Sequence, residues 1–314
     1  MKKRLICDEV LESPKFATCS TPEKDILKRL VRGIFIFVAL ATSSLSYAQQ
    51  IVSIPYSDYS GATQQVDAVI SFPTSQANRK AVILLHTAGG YRTGTTQQYA
   101  SLLTSNGYIA LELRMFEAKP ENPQKHLAQV FGALRFLVAR NDIDKGGVSL
   151  LGQSYGGALS IYAATAWANQ KYNPEGVVIR SIAALYPTCF FHHELVTQKE
   201  RVTNRMASFG FPKDFYKSWV GVPVKILIGG EDDYESRDPN ACNSFVEAIG
   251  DQTQRERFTV QLFPSATHGW DHGRTYSFRD PLACKWTGCE NTNRSDQNIT
   301  ELGKASLLEF FSKP

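Results

Sequence analysis

The feature that most constrains this chain is an alternation repeated along its length. Short apolar runs, each long enough for one buried strand, are separated by segments with helical spacing. Ala81–Leu85 reads AVILL, and Tyr108–Leu113, Val148–Leu151, Ile182–Leu185, Val224–Ile228 and Phe258–Phe263 are further runs of this kind. Between them, residues 126–140 place Leu127, Val130, Phe131, Leu134 and Leu137 on one helical face. Helices are also expected at Ala158–Ala168, Asn240–Ile249 and Ile299–Phe311. A strand without a polar side must be covered on both faces, and strands alternating with helices build a parallel sheet. Thr63–Phe72 alternates weakly and suits an antiparallel hairpin at the sheet edge. With 43% hydrophobic and 20% charged residues the chain has the make-up of a globular protein. There is no internal repeat or low-complexity stretch, and no linker after Gln50, so residues 49–314 are expected to form a single domain.

Residues 1–48 pose a different problem. Lys28, Arg29 and Arg32 precede an uninterrupted apolar run from Ile34 to Ala41, and small and polar residues follow, ending at Ala48. A basic start, a short apolar middle and a small-residue cleavage site make a secretory signal. The apolar run has eight residues, whereas a membrane span needs about 20. A cleaved signal rather than a stable membrane anchor is therefore expected, with cleavage near Ala48. About 25 residues precede the basic cluster, more than a signal carries, so translation is expected to start near Leu27. Residues 1–48 hold 8 of the 34 Lys+Arg and 5 of the 30 Asp+Glu, leaving 26 against 25. Such a near-neutral remainder has no electrostatic case for binding nucleic acid or an anionic membrane.

Cys189, Cys242, Cys284 and Cys289 remain beyond residue 48. In a secreted or periplasmic protein these allow two disulfides in three pairings. Cys284 with Cys289 would close a small loop, and Cys189 with Cys242 would then tie distant segments together. A zinc site is disfavoured, because the repeated C-x-x-C spacing is missing. No metal and no organic cofactor is expected.

The chemistry of parallel sheets sits in loops beyond the carboxyl ends of the strands. After the run Val148–Leu151 comes Gly152-Gln153-Ser154-Tyr155-Gly156-Gly157, and a helix follows. A serine in a tight strand-to-helix turn is pushed out of the sheet, and its neighbours two residues away must be small for the turn to close. Ser154 is thus the candidate nucleophile. A hydroxyl needs a base near neutral pH, and histidine is the usual one. His268 follows the last strand run; His272 is the second candidate. His126, opening a helix, reads as a surface or capping residue. The metal-like string His192-His193-Glu194 lacks a shared face on helix or strand. A carboxylate should orient the imidazole, and Val224–Ile228 runs into Gly229-Gly230-Glu231-Asp232-Asp233, which offers Asp232 and Asp233. The order Ser154, Asp232, His268 is that of one particular triad fold.

On these residues the chain resembles the α/β-hydrolase superfamily, and within it the dienelactone hydrolase-like family. The resemblance runs from about residue 60 to the C-terminus and is carried by Leu85-His86-Thr87-Ala88-Gly89-Gly90, Gly152–Gly157, Ile228–Asp233 and Pro264-Ser265-Ala266-Thr267-His268. It implies an α/β-hydrolase fold, a mostly parallel central sheet with helices on both faces. The family's pattern selects Asp232 over Asp233 and His268 over His272. It implies an oxyanion hole from the backbone N–H of Tyr155 and, in the loop after an early strand, of Ala88. Two departures stand out. The namesake enzymes use cysteine where this chain has Ser154, and their His-Gly loop is His86-Thr87 here.

The expected function is therefore a secreted serine hydrolase that cleaves carboxylic esters or lactones of small molecules through an acyl-enzyme. The alternatives are an acyltransferase on the same triad and a non-catalytic binding protein with the hydrolase fold. Arg92 and Arg114 lie near strand ends, where they either contact an anionic substrate group or form surface salt bridges.

Overall fold

The computed structural model describes residues 49–313. The signal expected over residues 1–48, with its start near Leu27 and cleavage near Ala48, lies outside the described residues. The chain forms β1 (Gln49–Ser57), β2 (Thr63–Ser71), β3 (Ala81–Leu85), α1 (Gln97–Ser105), β4 (Ile109–Leu113), α2 (Pro123–Val138), β5 (Val148–Gln153), α3 (Tyr155–Ala163), α4 (Ala166–Tyr172) and β6 (Ile179–Leu185). It continues with α5 (Cys189–Val196), α6 (Glu200–Ser208), β7 (Val224–Gly229), α7 (Ala241–Glu247), α8 (Gln252–Arg255) and β8 (Phe258–Phe263). The last elements are β9 (Tyr276–Arg279), the short α9 turn (Ala283–Trp286), β10 (Glu290–Asn293) and α10 (Gln297–Ser312).

Eight strands make one sheet in the order β1-β2-β4-β3-β5-β6-β7-β8. β1 pairs antiparallel with β2, β2 antiparallel with β4, and every pairing from β4 through β8 is parallel. Every residue of β3, β4 and β5 is buried, so helices and loops cover both faces of the sheet there. Antiparallel pairing confines β1 and β2 to one edge, where β1 alternates between exposed and buried positions near its end. β9 and β10 form a separate hairpin.

The register brings the site together. Leu85 pairs with Gly152, Gln153 with Leu185, Leu185 with Leu227, and Gly229 with Phe263. The carboxyl ends of β3, β5, β6, β7 and β8 thus lie side by side. The loops that begin at residues 86, 154, 186, 230 and 264 leave the same edge of the sheet.

Two helices differ from the sequence reading. The expected helix Ala158–Ala168 is broken at Thr165, which turns extended (ψ 145°) and caps α4 by accepting from the Ala168 N–H. Thr165 also makes a strand-like bridge to Trp219. α2 starts at Pro123, with Asn122 capping the Gln124 N–H, so His126 lies inside the first turn and faces the core, where it is fully buried. It is neither a surface nor a capping residue.

Disulfides join Cys189 of α5 to Cys242 of α7, and Cys284 to Cys289. By loop-closure entropy, bridges spanning 53 and 5 residues stabilise the fold by about 4 and about 2 kcal/mol. No helix among the described residues is long and apolar enough to cross a membrane.

Candidate active site

Ser154 stands between β5 and α3 with φ 50° and ψ −113°, a left-handed backbone that a non-glycine residue adopts only when its surroundings impose it. Two glycines permit the turn. A Cβ on Gly152 would fall on the carbonyl of Gly156, and one on Gly156 would fall on the carbonyl of Leu85. The backbone is thus packed too closely for any side chain at either position. The first turn of α3 begins directly after Ser154, and its N–H groups favour negative charge there.

His268 lies in the loop after β8. Its Nε2 is 2.9 Å from Ser154 Oγ and its Nδ1 is 2.8 Å from Asp232 Oδ2. The serine hydroxyl therefore donates to Nε2 while Nδ1–H donates to the carboxylate. His268 is 2% exposed and Asp232 0%, whereas Ser154 is half-buried. Asp232 does a second job with its other oxygen, accepting from the Tyr234 N–H (2.9 Å) and so capping the short turn Asp233–Glu235. The loops after β7 and β8 are laced to each other: Glu231 N–H donates to Ala266 O (2.9 Å), and Arg294 bonds both Glu231 (2.8 Å) and the carbonyl of Ser265 (2.6 Å).

The competing residues are occupied elsewhere. Asp233 accepts from Arg237 Nε (2.8 Å) and the Thr292 N–H (2.9 Å). His272 Nδ1 bonds the Tyr276 hydroxyl at 2.8 Å, and burial lowers its basicity. His192 uses both nitrogens inside the core, on Tyr216 OH (2.6 Å) and Pro187 O (3.1 Å), and burial brings its pKa down to about 3. Glu194 accepts from Trp286 Nε1 (2.8 Å), so the His192-His193-Glu194 string has no common focus. Arg92 and Arg114 both pair with Glu117, each at 2.9 Å, and Arg92 is 76% exposed. They form the surface salt bridges that the sequence left as one of two readings.

The backbone N–H groups of Tyr155 and Ala88 have no acceptor among the described residues. They belong to adjacent strand ends, since Leu85 and Gly152 pair directly. The walls around them were not legible in the sequence. His86, buried and held neutral with a pKa near 4 by desolvation, packs on Phe116 at 4.5 Å. Phe116 also contacts His126 (4.9 Å) and Tyr155 (5.7 Å), and the Tyr155 hydroxyl bonds His126 Nδ1 at 2.6 Å. Desolvation takes His126 down to about 3, so it too is neutral. His268 touches two tyrosine rings, Tyr234 at 4.4 Å and Tyr186 at 4.7 Å between centroids. A groove of ≈ 570 Å³ lined by Tyr56, Gln65, Asp67, Arg114, Met115 and Glu117 contains none of Ser154, His268 or Asp232.

No protein-family model matches the sequence, and no curated protein matches it. Solved structures do. Est1E from Butyrivibrio proteoclasticus is 16% identical, with 84% of this chain and 99% of that chain covered and a TM-score of 0.54. A protein from Klebsiella pneumoniae subsp. pneumoniae assigned as a dienelactone hydrolase is 13% identical over 85% of this chain and all of its own, with a TM-score of 0.56. Thermogutta terrifontis esterase 2, phosphoramylated by tabun, is 14% identical over 83% of this chain and 93% of its own, with a TM-score of 0.57. At these identities the likeness establishes the α/β-hydrolase fold. The chemistry has to come from the residues of this chain.

Proposed function

We propose that this α/β-hydrolase-fold protein is an exported serine hydrolase of carboxylic esters, working through an acyl-enzyme. Ser154 Oγ attacks the ester carbonyl as His268 Nε2 takes its proton. Asp232 keeps Nδ1–H pointing inward and stabilises the imidazolium that results. The N–H groups of Tyr155 and Ala88 hold the oxyanion, each contributing about 2.7–4 kcal/mol to the transition state. His268 then protonates the leaving alcohol, and water enters to repeat the steps in reverse. The substrate is a small-molecule ester, which the esterase names of the structural neighbours support.

The observation that carries this reading is the unbroken hydrogen-bond chain Ser154 Oγ–His268 Nε2, His268 Nδ1–Asp232 Oδ2, with the hydroxyl on a strained turn. Asp233 is occupied by Arg237 and the Thr292 N–H, and His272 by the Tyr276 hydroxyl, whereas these three groups are joined to one another. Export is supported by the two disulfides, which persist in oxidising compartments. Hydrolysis of p-nitrophenyl acetate by wild type and Ser154→Ala tests the chemistry. The substitution is expected to cost about 10⁴-fold or more in kcat; equal rates would remove the proposal.

A further inference from the structure

Asp271 has no part in the steps above, yet it is a buried carboxylate surrounded by donors. Its Oδ1 accepts from the Tyr186 hydroxyl at 2.5 Å, and its Oδ2 from the Tyr99 hydroxyl at 2.5 Å and from Gln153 Nε2 at 2.9 Å. Its backbone carbonyl accepts from Gln98 at 2.6 Å. Burial, then the Asp271 charge, holds both phenols protonated, so they remain donors. His272 Nε2 stands 3.9 Å from Oδ1.

Two of these partners touch the reacting groups. Gln153 ends β5 and immediately precedes Ser154. Tyr186 follows β6 with φ 39°, another strained non-glycine position, and its ring packs against the His268 imidazole at 4.7 Å and 61°. Asp271 is itself three residues after His268 in the base loop. One carboxylate therefore fastens the base loop, the ring beside the base and the strand end that presents the nucleophile. A strained backbone persists only where its surroundings over-determine it; the Tyr186 hydroxyl has its shortest bond to Asp271, and it also accepts from Gln153 Nε2 (3.2 Å) and lies 3.4 Å from His272 Nε2. The other ring on His268 is anchored likewise: the Tyr234 hydroxyl donates to Asp280 Oδ2 at 2.7 Å.

Resting on the hydrolase reading above, we infer that Asp271 is a positioning residue for Ser154 and His268 together, acting through Gln153 and Tyr186. Its role is to keep Oγ and Nε2 in register while the imidazole gains and loses a proton. Displacement of a reacting group by about 1 Å can cost 10²-fold in rate, so the effect belongs in kcat rather than in KM.

The test compares wild type, Asp271→Asn, Tyr186→Phe and Tyr99→Phe with a p-nitrophenyl ester and a fluorophosphonate probe. Rates are expressed per probe-titrated active site at a temperature well below each melting point. Asp271→Asn is expected to lower kcat and the rate of probe uptake by about 10- to 100-fold and to leave KM within about threefold. Tyr186→Phe keeps the ring but loses its anchor, and is expected to cost about 10-fold, so it carries the test if Asp271→Asn does not fold. Tyr99→Phe removes a donor that touches neither Gln153 nor His268, and is expected to stay within about threefold. Wild-type kcat per active site in both Asp271→Asn and Tyr186→Phe, with only the melting point lowered, would overturn the inference and leave the hydrolase reading standing. An equal fall of kcat in Tyr99→Phe would overturn it too, because it would mark a general packing effect. A wild type that neither hydrolyses esters nor takes up the probe overturns both.

Discussion

Two histidine–aspartate neighbourhoods lie four residues apart in one loop, and they are built differently. His268 has a hydroxyl on one nitrogen and a carboxylate on the other, both from distant strands. His272 is next to Asp271, but its Nδ1 is taken by Tyr276, and Asp271 is filled by two phenols and an amide. Proximity of an imidazole to a carboxylate is thus not what makes a base. A base needs a carboxylate with a free oxygen aimed at one nitrogen and an acidic hydrogen aimed at the other. In the function proposed here the first neighbourhood moves a proton and the second holds side chains still.

Substituting each histidine in turn separates the two neighbourhoods. His268→Asn is expected to lower kcat by about 10⁴-fold or more, whereas His272→Asn is expected to stay within about 10-fold, because no proton passes through it. Comparable losses in steady-state ester hydrolysis would erase the distinction. For the acids, Asp232→Asn leaves the imidazole in the wrong tautomer and is expected to cost about 10⁴-fold, well beyond the effect expected at Asp271.

The comparison extends to stability. Removing the Cys189–Cys242 bridge as a double alanine variant is expected to cost about 4 kcal/mol, against about 2 for Cys284–Cys289, measured by denaturant unfolding. The long bridge fixes α5, whose Phe190 N–H donates to Glu235 (2.9 Å), three residues after Asp232. Glu235 is fully buried, and desolvation, then the Asp232 charge, push its pKa up from 4.5 to about 8. A carboxyl that stays protonated in the folded state contributes stability that is fully present below its unfolded pKa and lost as pH rises through the folded one. Wild-type melting temperature should therefore fall between about pH 5 and 8 through this group, and Glu235→Gln should flatten that fall. An unchanged slope would mean that Glu235 is already ionised. The smallest effect is expected at Arg92→Ala, whose denaturant midpoint should match that of wild type, because its exposed ion pair with Glu117 is screened by water.

The sheet was legible because β3 to β7 are mainly apolar segments that stay buried on both sides, and period and length expose such strands in a sequence; β8, at the far edge, is half-exposed but still reads as an apolar run. Ser154, Asp232 and His268 stood out because each follows the end of one of these strands. β1 was missed because its first residues are exposed on both sides and carry no alternation. The break at Thr165 was missed because local helix propensity says nothing of a distant bridge to Trp219. His126 was misplaced because the true start of α2, at Pro123, turns it inward. The Asp271 network had no signal at all: residues 99, 153, 186 and 271 share no spacing, and they meet only when α1, the ends of β5 and β6 and the loop after β8 are packed together.

Intact-protein mass spectrometry after fluorophosphonate treatment shows whether Ser154 is an activated nucleophile. One adduct per chain is expected, mapped to the peptide containing Ser154 and abolished in Ser154→Ala and His268→Asn. No adduct on folded wild-type protein, or an adduct on another residue, would contradict it.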